Sequence, residues 1–140
     1  MGIFNGLNIN ASGLALERLK LDTISTNIAN VNTTRTPEGG PYKQKTVTFS
    51  ENLRQSLGSN RLEQGYGVRS TGLVANQQIK MSYDPENPEA DANGYVAQSN
   101  VNMADEMVAM LQAVRTYEAN ASAAESNKTI LKKALEISKN

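Results

Sequence analysis

Counted in alternating steps of four and three from Ile3, the chain visits Ile3, Leu7, Asn10, Leu14, Glu17, Leu21, Ile24, Ile28 and Val31, and seven of these nine positions are apolar. That spacing is the seam of a heptad-patterned helix. Over Ile3 to Val31 it predicts a rod up to about 45 Å long, with first turns weakened by Gly13 and the Asn-rich start. The same count from Met103 visits Met103, Met107, Met110, Val114, Tyr117, Ala121, Ala124, Lys128, Leu131, Leu135 and Ser138, with only Lys128 and Ser138 polar. A second, longer helix is predicted there. Asn102 reads as its N-cap, with Asp105 and Glu106 as first-turn acids, while Lys132, Lys133 and Lys139 suit the negative end of its dipole.

Between the two seams the period changes. "TPEGGPYKQKTVTF" opens with turn residues and becomes strand-like over Tyr42 to Phe49. "GYGVRSTGLVANQQIKMSY" is a second strand-rich stretch, and Ser50 to Gln64 fits neither period and is expected to be a loop or short irregular helix. The sequence therefore divides into an N-terminal helix (1–33), a central loop and small β region (34–100) and a C-terminal helix (101–140). The fold class expected is mainly α with a small β insert, the two long helices packed as an antiparallel, coiled-coil-like pair.

Composition removes most chemistry. The 140 residues hold 14 basic and 14 acidic side chains, a balance without the basic excess a nucleic-acid binder needs to displace counterions. There is no Cys and no His, so thiolate nucleophiles, Cys/His zinc sites and imidazole bases are absent. Aromatic residues make up 5% and mean hydropathy is −0.48, which argues against a large packed core. No apolar run approaches the roughly 20 residues of a membrane span. The first 16 residues are uncharged, unlike the basic start of a cleavable secretory signal. Around Glu89 to Asn100 the spacing approaches that of a calcium loop, yet the first position lacks Asp and Asn100 stands where a bidentate Glu is required. Pro85, Pro88 and Gly94 make a turn the better reading. The carboxylates of that turn have no aromatic sugar platform beside them, so a glycosidase-like site is not expected either. A membrane-active helix is disfavoured because the polar face opposite the N-terminal stripe is short of Lys and Arg. No cofactor, metal, catalytic residue or small-molecule substrate is expected.

Two long seams with so little core between them need cover from elsewhere, because helices owe most of their stability to tertiary packing. The alternative is a helix pair sealed within one monomer. The candidate packing residues are Leu7, Leu14, Leu21, Ile24, Asn27, Ile28, Asn30 and Val31 on the first helix. On the second they are Met107, Met110, Val114, Tyr117, Ala121, Leu131 and Leu135. The asparagines have two expected uses. Asn32 or Asn30 can stop the helix in the left-handed conformation, and Asn27 and Asn30 can bond neighbouring chains.

Two stretches carry a family resemblance. "LERLKLDTISTNIANVNT" resembles the N-terminal helix of the bacterial flagellar rod and hook family, with Ser25, Asn27, Ala29, Asn30 and Thr33 in its S-x-N-x-A-N-x-x-T pattern. "MVAMLQAVRTYEAN" is similar to that family's C-terminal helix, with Arg115, Tyr117, Ala119 and Asn120 in R-x-Y-x-A-N. "GGPYKQKTVTF", "YDPENPEADANGYV" and the short length resemble its proximal rod members. The resemblance implies a structural subunit of the basal-body rod, exported by the flagellar type III apparatus, with an export signal involving Phe4 and Leu7 or Ile9. It implies as partners other flagellar rod proteins, copies of the same chain, the MS-ring/rod junction protein and the export apparatus.

Overall fold

The computed structural model describes residues 5–53 and 65–137. Ile3, Phe4, Ser138, Lys139 and the 54–64 part of the expected loop lie outside them. In chain order the elements are α1 (Asn5–Ala29), β1 (Lys45–Leu53), β2 (Gly65–Ala75), β3 (Lys80–Tyr83), β4 (Tyr95–Gln98) and α2 (Met103–Ile137). The architecture is the expected one, two long terminal helices around two small antiparallel ladders, β1 with β2 and β3 with β4.

Asn102 caps α2 as its residue type predicts, its Oδ1 accepting the Ala104 N–H at 3.1 Å. The end of α1 differs from expectation. Among the described residues only glycines have positive φ, so neither Asn30 nor Asn32 is a left-handed stop. The helix tightens out instead: the Asn30 N–H is shared between the carbonyls of Thr26 and Asn27, and Thr33 N–H turns back to the Asn30 carbonyl at 3.1 Å. The Asn30 side chain holds that turn, donating to Thr26 O and accepting from the Thr33 hydroxyl.

The first strand starts at Lys45, three residues later than the sequence suggests, because Tyr42 and Gln44 serve contacts described below. It runs on through Ser50 to Leu53, a stretch expected to be loop. β4 falls inside a segment read only as turn. Its turn is nonetheless real: Asp91 Oδ1 accepts the Asn93 and Tyr95 N–H groups at 2.8 and 2.9 Å, an Asx arrangement that occupies the carboxylate a calcium loop would need. Arg35 ties this turn to the loop after α1 through Glu89 at 2.7 Å.

The buried apolar side chains among the described residues are few: Leu16, Tyr42, Val47, Val96, Val101 and Ala113. The hairpin of β1 and β2 lies against α1. At one end the Ser12 hydroxyl accepts the Val68 N–H while donating to Ile9 O, with Gly67 in the left-handed region (φ +96°) pressed on Ser12. At the other end β1 begins beside Asn27.

Candidate packing surface

The line along which the helices touch can be followed residue by residue. A Cβ on Gly6 would meet the Asn127 side chain at 3.0 Å, one on Gly13 would meet Asn120 at 2.9 Å, and Asn27 hydrogen-bonds Glu106. The residue numbers of each pair sum to 133, as an antiparallel pair in constant register requires, and the same sum sets Lys20 opposite buried Ala113. Both sets recur every seven residues. The contact line is thus built of Gly, Asn, Lys, Ala and Glu, with glycine admitting an asparagine where a larger residue would hold the helices apart.

At one end of that line sits a buried polar hub. Asn27 is 1% exposed. Its Nδ2 donates to Lys45 O at 2.9 Å and to Glu106 Oε2 at 3.1 Å, and its Oδ1 accepts from the Tyr42 hydroxyl and Lys45 N–H, both at 3.0 Å. The amide thereby completes the outward-facing backbone groups of Lys45, an edge-strand residue that would otherwise lack partners. Gln44 Nε2 donates to the other Glu106 oxygen at 2.6 Å, and Asn100 bridges Gln44 N–H to Asn76 O. Burial, and secondly the Glu106 carboxylate, hold the Tyr42 phenol above its ordinary pKa of 10.0. Asn27 therefore spends its bonding groups within its own chain, a correction to the expectation that it bonds a neighbour. Asn30 is likewise occupied locally. At the other end of the line Asn10 Nδ2 is buried with no acceptor.

The apolar stripe lies to one side of the contact line. Of its positions, Ile24, Met110, Tyr117 and Leu131 flank the line closely, while Val31 lies in the turn beyond the end of α1. Leu7, Leu14, Leu21 and Ile28 each follow Gly6, Gly13, Lys20 or Asn27 by one residue, so they stand about 100° further round α1. Met107, Val114 and Ala121 follow Glu106, Ala113 and Asn120 in the same way on α2. Because the helices are antiparallel, both turns lead to the same side of the pair. Ser12, one residue before Gly13, turns the other way and meets the hairpin. The two rows therefore form one face opposite the hairpin, levelled as Ile28 with Met107, Leu21 with Val114 and Leu14 with Ala121. The α1 row is half-buried, whereas Met107 is 52% and Val114 38% exposed. Leu135 lies further out on α2, 66% exposed.

A groove of about 440 Å³ opens between α1, β1 and α2. Its two buried carboxylates are already engaged, Glu17 by Lys20 at 2.8 Å and Glu106 by the hub, and Lys20 also covers the Phe49 ring. Among the described residues no acidic group is gathered for a metal, and no helix is long and apolar enough to cross a membrane.

Comparison with known proteins adds a family. Residues 7–35 match the family described as flagella basal body rod protein, and residues 92–137 match the flagellar basal body rod FlgEFG protein C-terminal family. The flagellar basal-body rod protein FlgC of Borreliella burgdorferi is 38% identical, the alignment covering 98% of each chain. That of Bacillus subtilis is 37% identical over 99% of this chain and all of its own. That of Salmonella typhimurium is 33% identical over 98% of each.

Proposed function

The chain belongs to the FlgC family of flagellar basal-body rod proteins, and from that premise we propose how its helices serve the rod. It is a structural subunit of the basal body and not an enzyme. In our reading the two-helix face of Leu14, Leu21, Ile28, Met107, Val114 and Ala121 is its packing surface. The partners are other rod proteins, further copies of the chain and the MS-ring/rod junction protein. The chain arrives through the type III export apparatus.

One observation carries this reading. The residues on the contact line are small or polar, while the apolar rows beside it face away from the hairpin, the α1 row half-buried and Met107 and Val114 of the α2 row exposed. Exposed apolar area of that kind marks an interaction site. Val114→Asp, on the exposed row, should leave the helical content of the purified chain unchanged and abolish rod formation and swimming. A buried, unpaired carboxylate there costs several kcal/mol. Normal swimming by the variant would show that this face is not covered in the rod.

A further inference from the structure

The pairing of the helices runs out before α2 does. With paired residue numbers summing to 133, Asn5 at the start of α1 faces Lys128, so among the described residues α2 from Thr129 to Ile137 has no α1 residue opposite it. This tip is apolar and basic together. Ile130 and Ile137, seven residues apart on one side, are 65% and 77% exposed, and Lys128, Lys132 and Lys133 stand around them against a single acid, Glu136, which Lys133 pairs at 3.0 Å.

The opposite end of the molecule has the complementary character. On the β3–β4 ladder, Met81 pairs with Ala97 and Tyr83 with Tyr95, and the alternation of strands puts Met81, Tyr83 and Tyr95 on one face. All three are exposed, between 44% and 66%, and Ile79, just before β3, is 48% exposed. The reverse face buries Val96. The Tyr83 and Tyr95 rings meet edge to face at 5.3 Å, so the platform is preformed. Its connecting turn carries Asp84, Glu86, Glu89 and Asp91 and no basic residue of its own, Glu89 being paired with Arg35 from the loop after α1.

We infer that the C-terminal tip of α2 in one copy seats on the β3–β4 platform of a second copy. Ile130 and Ile137 lie on the Met81 and tyrosine face, and the tip lysines lie against the acidic turn. The contact rests on the chain being an assembling subunit. It cannot close within one molecule, because β4 adjoins the start of α2 and the 35-residue helix carries its tip about 52 Å away. It is head to tail, joining two different patches, and so extends in one direction instead of closing as a dimer. Apolar complementarity supplies affinity, and the opposed charges set orientation.

The chain has no native cysteine, so a designed pair reports cleanly. Full-length protein carrying Met81→Cys and Ile137→Cys, mildly oxidised, should give a disulfide ladder in multiples of 15.2 kDa. Asp84→Lys with Glu86→Lys should reduce the linked product roughly tenfold, and adding Lys132→Glu with Lys133→Glu should restore it. Monomer alone after oxidation would overturn the contact, as would a ladder indifferent to charge reversal. An adduct in cells whose mass is not a multiple of the chain would place a different protein on the platform and overturn the second copy as occupant. If rods and swimming are normal while no ladder forms, the contact is wrong and the subunit reading stands. A charge-dependent ladder from purified chain with no incorporation into rods would support the contact and count against that reading.

Discussion

Removing the Asn27 amide strands four groups at once: the Tyr42 hydroxyl, both backbone groups of Lys45 and one oxygen of Glu106. Alanine is the better helix former by about half a kcal/mol, which on sequence grounds predicts unchanged or slightly higher helicity. The buried partners reverse that sign. Asn27→Ala should destabilise the monomer by about 2–4 kcal/mol in chemical denaturation. No loss would mean that the hub is open to water. Tyr42 adds a pH dependence. Its raised pKa means the folded chain keeps the phenolic proton where the unfolded chain, titrating near 10, has lost it. The stabilisation is complete below about pH 10 and falls as pH rises through the raised value. Tyr42→Phe should cost about 1 kcal/mol at neutral pH through the lost bond to Asn27, and should flatten the alkaline decline of the thermal midpoint.

At the scale of elements, the hairpin is held to α1 by a contact that tolerates no side chain. Gly67 has φ +96°, and a Cβ there would collide with Ser12 Oγ and crowd the Ile9 backbone. Gly67→Ala should therefore cost about 2 kcal/mol or more, and hydrogen exchange at Val68 should quicken as its bond to Ser12 is lost. Gly39, also left-handed but with open space around it, should lose less on the same substitution. The helices themselves were legible, since their heptad period and the Asn102 cap are local. Which side of each helix meets the other was not. A hydrophobic count finds Leu7, Leu14 and Leu21 and passes over Gly6, Gly13 and Asn120, whose value lies in allowing close approach. β4 was hidden because its four residues follow a run of turn formers. Glu106 reads as a first-turn acid because its partners Asn27 and Gln44 are 79 and 62 residues away in sequence. Long-range polar pairing leaves no periodic trace.

Across the whole molecule the two ends of the helix pair are secured differently. The Asn27 end is bonded to the loop, to β1 and to α2, whereas at the other end Gly6 and Gly13 meet asparagine side chains and Asn10 is left with a buried, unmet donor. In the free chain, amides beside Asn27 and Glu106 should exchange slowest, with protection falling steadily towards Gly6 and Asn127. Equal protection along both helices would contradict that gradient. The placing of small and polar residues on the contact line has a consequence for divergence. Folding is written in one set of positions and the open apolar face in another, one residue further round each helix. With that face as the packing surface proposed above, substitutions in the second set would alter which neighbour is accepted while leaving the monomer's own register untouched. A lineage of such subunits would then exchange partners by drift at Met107, Val114 or Ala121 without first having to find a new way to fold.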